Sequence, residues 1–291
     1  MGQKLIPHSF LEALQFLDKY DCQIVAGGSD IMLQKKNVAG SLPKFEKDVL
    51  FISNLDELNY ERLEEDGLHI GSTKNLESIL ENVLTPSLLK DCLSQLASVN
   101  IRNFATLAGN VANASPAGDT IVVEVCLNAK IKLTSINGSR LIDVYDFVKG
   151  VRKIDLNKNE MIEEIIFPLN NFDHFYYHKV GSRKAESISK VSFAGAFKIN
   201  KNIIEDISIC FGSIFIKPVR SIEVEKSIIG LSVDELNERR QYFIDKYSSL
   251  IKPITDQRST KEYRYEVALN ILNKFFDEIL KERKEVFEWN I

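Results

Sequence analysis

Thr106-Leu-Ala-Gly-Asn-Val-Ala-Asn-Ala-Ser-Pro-Ala-Gly-Asp119 is almost entirely small or amide side chains, in a chain that is otherwise 27% charged. Such a stretch has little apolar area to bury, so it makes a poor core. It makes a good ligand wall, because Gly and Ala let a backbone come close and Asn tolerates left-handed turns. The charge pattern agrees. No carboxylate lies between Asp91 and Asp119, although acids make up 41 of 291 residues, so about four would be expected there. An anionic ligand favours that absence, and Arg102 is the lone cation in the gap.

Some eighty residues upstream, Gln23-Ile24-Val25 reads as a short buried strand. It runs into Ala26-Gly27-Gly28-Ser29-Asp30 and then the apolar Ile31-Met32-Leu33. Two glycines after a strand can present consecutive N–H groups to an anion, with Ser29 adding a hydroxyl. Neither a P-loop nor the G-x-G-x-x-G dinucleotide fingerprint is present. Gly-Gly alone is an ordinary turn, and only its pairing with 106–119 favours a phosphate-binding loop.

These two segments, with Ile101-Arg-Asn-Phe-Ala leading into the second, resemble the FAD-binding subunits of molybdenum hydroxylases. Xanthine dehydrogenase, carbon monoxide dehydrogenase and nicotinate dehydrogenase flavin subunits belong to that group. Further blocks match in the same order: Tyr177 through Lys184 with Ile188 through Val191, Gly212-Ser213 with Lys217 through Arg220, and Ser259 through Arg264. The resemblance covers nearly the whole chain.

It implies an α+β protein: a two-lobed FAD-binding domain of the vanillyl-alcohol oxidase type at 1–172 (lobes about 1–55 and 56–172), then a C-terminal domain of antiparallel sheet plus helices at 173–291. It implies that Ala26, Gly27, Gly28, Ser29, Asp30 and Ile31 wrap the pyrophosphate and ribityl region. Ala97, Thr106, Gly109, Asn110, Asn113 and Asp119 would line the other wall. Met161 and Ile162 fall where the family contacts adenine, and ordinary strand core is the other reading of both. Lys179 is placed as a cation near the pyrimidine edge of the flavin, against the alternative of a solvated surface lysine. Asp119 can equally be a helix N-cap.

Two positions depart from the family. Ala108 replaces a usual Gly, which works where φ is negative, and Ser29 stands where Thr is common. His8, His69, His174 and His178 all lie outside both loops, so the FAD is expected to be non-covalent. The implied role is electron transfer from the two-iron clusters of a 2Fe-2S subunit through FAD to NAD+ or another acceptor. A molybdenum-cofactor subunit would oxidise a purine or other N-heterocycle, and no residue of this chain would act as a catalytic group on it. The alternatives are a stand-alone FAD oxidoreductase of the same superfamily and a non-catalytic FAD-binding assembly protein.

Bulk properties fit. The length suffices for two domains, and no apolar run approaches the ~20 residues that cross a bilayer. The N-terminus lacks a signal-peptide core, so the chain is expected to be cytoplasmic. A net charge of −4 argues against nucleic-acid binding. Cys22, Cys92, Cys126 and Cys210 form no C-x-x-C pair, so no metal centre is expected and the thiols read as small hydrophobes.

Periodicity predicts a capped helix from Ser9 with Leu11, Leu14 and Leu17 on one face, strands at 22–26, 49–52 and 68–71, and a helix from Pro86 to about Ser98 with Thr85 as its N-cap. Helical 120–127, a strand at 130–134 and two more strands within 140–168 follow. Beyond a boundary at Asn170–Asp173 come strands at 175–180, 191–199 and 203–212. A capping box at Ser232–Glu235 and a long helix over 262–284 complete the chain. That helix carries an apolar stripe from Tyr265 to Leu280, expected to face its own sheet.

Overall fold

Short apolar runs bracketed by turn residues set the first sheet. Strand β1 (Lys4–Leu5), helix α1 (Phe10–Lys19), β2 (Cys22–Val25), the single turn α2 (Ile31–Gln34) and β3 (Asp48–Phe51) follow in chain order. The strands form a parallel three-stranded sheet in the order β1-β3-β2, with Cys22 opposite Asp48 and Val25 opposite Phe51. Ser9 caps α1, its Oγ accepting from Glu12 N at 3.1 Å. The reciprocal half of the capping box is displaced by one residue, because Glu12 Oε2 accepts from His8 N at 2.6 Å. Ala13, Leu14 and Leu17 face a core of Leu50, Ile52, Leu55, Leu58 and Met161, while Leu11, expected on that face, is exposed.

The computed structural model describes residues 2–38, 40–183 and 186–288, and divides into two units, 1–115 with 128–169 and 116–127 with 170–291. The rest of the first unit begins with the hairpin β4 (Glu61–Glu64) and β5 (Gly67–Gly71). Helices α3 (Leu76–Glu81), α4 (Ser87–Ser94), α5 (Val99–Arg102) and α6 (Leu107–Asn113) follow. Past α7 (Asp119–Cys126), which belongs to the second unit, come β6 (Lys130–Ser135), β7 (Gly138–Asp143), α8 (Val144–Phe147), the small hairpin β8 (Val148–Gly150) with β9 (Lys153–Ile154), and β10 (Met161–Pro168). The second sheet is antiparallel, in the order β4-β5-β10-β6-β7, with a register shift in β10 between Ile162 and Glu164.

The helix expected from Pro86 to about Ser98 is shorter, Ser87–Ser94, and a separate turn, α5, follows it. Thr85 is not its cap: the hydroxyl donates back to Ile79 O at 2.6 Å, and Pro86 occupies the cap position without a side-chain bond. The helix stops at Ser94, and Ala97 adopts φ 49 before α5 begins. Arg102 holds that left-handed link. Its Nη1 donates to Leu96 O at 2.9 Å and Ala97 O at 3.0 Å, and its Nε to Glu77 Oε2 at 2.5 Å.

In the second unit β11 (His174–Val180), β12 (Val191–Asn200), β13 (Ile203–Gly212) and β14 (Val219–Arg220) form an antiparallel sheet in chain order. Lys201 and Asn202, with φ 49 and 69, make the two-residue turn that suits the strands' twist. Four helices follow: α9 (Ile222–Ile228), α10 (Val233–Glu238) with the full Ser232/Glu235 capping box, α11 (Arg240–Leu250) and α12 (Lys261–Glu288). The α12 stripe covers its own sheet: Ala268, Leu272, Phe275, Phe276 and Ile279 are fully buried with Phe193, Phe197 and Phe211. Gly195 of β12 is obligatory there, since a Cβ would lie 2.4 Å from the Phe275 ring.

Helix α7 is stitched into this unit through its last carbonyls. Ser208 Oγ donates to Cys126 O at 2.7 Å and Arg220 Nη1 to Val125 O at 2.6 Å, a cation at a helix C-terminus. Glu225 holds Arg220 from the other side at 3.0 Å. Three of the four cysteines are buried and all four are free thiols. Among the described residues no helix is long and apolar enough to cross a membrane.

Glu124 in α7 is fully buried, and neither carboxylate oxygen meets hydrogen-bond geometry with a described group. Burial pushes its carboxyl up to about 8, against a smaller opposing pull from the Thr120 hydroxyl one turn earlier. The folded chain therefore keeps a proton that the unfolded chain releases above its ordinary carboxylate range. Stability falls as pH rises from about 4.5 to about 8, by an amount on the order of a few kcal/mol, and then levels. Urea titrations at pH 5 and pH 8 should show this slope in the wild type and a flatter one in Glu124→Gln; parallel pH profiles would contradict the assignment.

Candidate cofactor-binding site

The loop leaving β2 and the first turns of α6 meet backbone to backbone. A Cβ on Gly27 would lie 1.6 Å from the Phe104 carbonyl oxygen, so no other residue fits. The opposing strand of chain is itself pinned, with Leu76 N donating to Ala105 O at 2.9 Å and Asn75 bridging to Thr106. Gly28 takes φ 68, the left-handed region. Between the two segments lies a cleft of about 470 Å³. All of Ala26 to Ile31, and Thr106, Gly109, Asn110 and Asn113, line it.

The backbone N–H groups of Gly27 through Ile31 have no acceptor among the described residues. Five consecutive unpaired donors beside a cleft lined by two glycines form a nest for anionic oxygens. The Ser29 hydroxyl is likewise without a protein partner among the described residues. Thr106 caps α6, its Oγ1 accepting from Gly109 N at 2.9 Å. That bond uses a lone pair and leaves the hydroxyl proton available to a ligand oxygen. Ala108, the departure from the usual Gly, sits inside α6 and is not among the positive-φ residues, so the methyl costs no strain. A Cβ on Gly109 would meet only Thr106 Oγ1 within 4 Å, which leaves that side of the helix open.

A second cleft of about 290 Å³ adjoins the first and shares Gln23, Ile24, Ala26, Gly109 and Ala112 with it. Cys22, Ile52, Ile154, Leu156, Met161 and Ile162 give it apolar walls. Met161 and Ile162 are 0% and 6% exposed, so the core and cleft readings of these residues both describe them. The two clefts join into one groove, donor-rich at one end and, at the other, walled by apolar side chains together with Asp21, Lys47, Lys158 and Glu160. That shape fits a dinucleotide carrying a flat base.

Sequence reasoning missed one cation of this groove. Arg152, in the turn between β8 and β9, reaches it with φ 54 and bonds Gln34 Oε1. Gln34 in turn donates to Asp30 Oδ2 and to Asn113 Oδ1, the latter at 2.9 Å. Arg152 stands more than thirty residues from either loop and owes its place to a backbone conformation no residue type announces. Arg102, the cation the sequence offered, is tied instead to Glu77.

Three expected residues are not in the lining of these two clefts. Ala97 lines neither cleft. Asp119 and Lys179 belong to the second unit, where Lys179 Nζ lies 2.7 Å from Asp119 Oδ2 and the side chains are 7% and 6% exposed. Ser189 donates to the other Asp119 oxygen. Lys179 is thus a buried, paired cation and not a solvated one. Asp119 is not the cap of α7 but its first residue, and Gly118 holds the cap position.

A parallel-sheet lobe, an antiparallel lobe and a donor-rich groove suit a protein that binds a nucleotide cofactor. Comparison with known proteins sharpens this. The profile of the FAD binding domain in molybdopterin dehydrogenase matches residues 2–170, and that of the CO dehydrogenase flavoprotein C-terminal domain matches 176–279. The glyceraldehyde dehydrogenase medium chain of Sulfolobus acidocaldarius is 35% identical over 275 residues, covering 93% of this chain and 95% of its own. The nicotinate dehydrogenase FAD-subunit of Eubacterium barkeri is 26% identical, covering 94% of both. A chain of reconstituted CO dehydrogenase from Oligotropha carboxidovorans has the same fold at a TM-score of 0.84 and 20% identity, covering 94% of this chain and 96% of that one. The chain belongs to the FAD-binding flavoprotein subunits of the molybdenum hydroxylase family, and is a flavoprotein oxidoreductase subunit.

Thr106 caps α6 and lines the cleft, so its variants test whether it also holds a ligand. Thr106→Val should lower the melting temperature by a few degrees, from a lost cap of about 1 kcal/mol, and weaken FAD binding about tenfold. Thr106→Ser should restore both. Unchanged FAD affinity in a folded Thr106→Val chain would remove Thr106 from the site.

Proposed function

We propose that this chain carries electrons between the two-iron clusters of a partner 2Fe-2S subunit and NAD+ or another soluble acceptor, in a complex whose third subunit holds the molybdenum cofactor. The observation that supports it most is the run of unpaired N–H groups from Gly27 to Ile31 beside the groove. Bound FAD supplies the redox chemistry, taking electrons singly and passing them on in pairs. The chain's own residues bind and orient it. Gly27 to Ile31 hold its pyrophosphate, Thr106 and Asn110 donate to its oxygens, Arg152 offsets phosphate charge, and Ile162 walls the adenine.

The cofactor is held without a covalent bond. None of the four histidines lies in either loop, which supports this reading. The organic substrate is oxidised on the partner subunit and meets no residue of this chain. An aldehyde is the favoured class, after the name of the 35% identical medium chain; an N-heterocycle follows the names of the nicotinate and xanthine dehydrogenase relatives at 25–26%.

Anaerobic NADH added to the purified chain tests the acceptor. A two-banded flavin spectrum that bleaches supports a nicotinamide, and acid precipitation should then leave the flavin in the supernatant. A flavin that bleaches only with dithionite assigns another acceptor. A colourless chain that takes up no added FAD contradicts the reading.

A further inference from the structure

The β4–β5 hairpin turns through Glu65 and Asp66 and gathers Glu64, Asp66 and His69 at the edge of the five-stranded sheet. One ligand atom from each lies within 4.8 Å of the others. His69 Nε2 is 2.8 Å from Asp66 Oδ1 and 4.0 Å from Glu64 Oε2. The two carboxylates are exposed, whereas the imidazole side chain is 8% exposed.

The far side of the ring decides the reading. His69 Nδ1 lies 3.1 Å from Oε2 of Glu164, a carboxylate only 5% exposed. Tyr60 donates its hydroxyl to that same oxygen at 2.7 Å, and Lys132 Nζ sits 3.6 Å from the other. A buried, fixed carboxylate accepting from Nδ1–H leaves Nε2 facing Asp66 and Glu64, where at 2.8 Å from a carboxylate oxygen it needs a cation or a proton between them. This is how metal-bound histidines are held from behind.

We propose that His69 Nε2, Asp66 and Glu64 bind a zinc-class divalent ion, with Glu164 as the positioning residue behind the histidine. Three N and O ligands at ordinary zinc bond lengths stand about 3.3 Å apart around a tetrahedral ion. The observed 2.8 and 4.0 Å bracket that spacing, and both carboxylates are on the surface, where small rotations cost little. Water takes the open fourth position. An imidazole ligand and a three-ligand set disfavour calcium and magnesium, which want six or more oxygens. Arg62 Nε, 3.5 Å from Glu64 Oε1, is compatible, because the ion needs only one Glu64 oxygen. The ion would tie the hairpin turn to β5 at a sheet edge, a stabilising role separate from the FAD groove. Its rival for the same space is a proton on Nε2, which would bridge the same carboxylates.

Chelator-treated full-length chain is titrated with Zn2+ against a chromophoric competitor, and with Co2+ for its visible bands. One ion per chain is expected, with a melting temperature raised by roughly 5 °C at a hundredfold excess over Kd. The surface variant Glu64→Gln/Asp66→Asn, which leaves the buried groups untouched, should abolish binding. Glu164→Gln should weaken it about 10–100-fold at unchanged stoichiometry. Absence of saturable binding would leave the proton as occupant and overturn the proposal. So would binding that survives Glu64→Gln/Asp66→Asn, or a thiolate charge-transfer band placing Co2+ on a cysteine.

Discussion

The first unit depends on one contact without side chains, the approach of Gly27 to the Phe104 carbonyl oxygen. It brings the exit of β2 against the entry of α6, and nothing larger than hydrogen can stand between them. The groove exists because these two backbones meet at one side and diverge beyond it. The consequence is chemical as well as steric. A loop pressed against another backbone at Gly27, then turned through positive φ at Gly28, leaves its next N–H groups without intramolecular acceptors. Such donors are costly when buried and favourable when an anion meets them.

Charge is arranged to match. The stretch from Asp91 to Asp119 contributes no carboxylate, and the one acid of the first loop, Asp30, is engaged by Gln34. Arg152 supplies the positive end of the same network. In the second unit two buried ionic clusters are satisfied internally: Asp119 by Lys179 and Ser189, Arg220 by Glu225 and an α7 carbonyl. Glu124 differs: it is buried without a partner of good geometry, and burial dominates its proton affinity over the smaller pull of the Thr120 hydroxyl.

Much of this was legible in the sequence because the loops are built from backbone. Where a ligand is held by N–H groups, the signature is the lack of side chains, and Ala26–Asp30 and Thr106–Asn113 show it plainly. The α12 stripe was legible for the ordinary reason of helical period. Three features were not. The break between α4 and α5 rests on left-handed Ala97 and on Arg102 bonding two carbonyls, neither of which has a residue signature. The membership of α7 in the second unit is a matter of tertiary contact through Ser208 and Arg220. Arg152 is placed by a turn whose φ no local pattern predicts. Asp119 shows the opposite limit: its acid in the first turn suggested a cap, yet Lys179, sixty residues on, claims it.

Amide hydrogen exchange of the full-length chain with and without FAD is the most direct measurement of the central claim, because the proposed ligands are themselves amide protons. The account predicts slowed exchange concentrated in 27–31, where donors now unpaired acquire acceptors. Slowing confined to other segments, or none in 27–31 with FAD demonstrably bound, would contradict it.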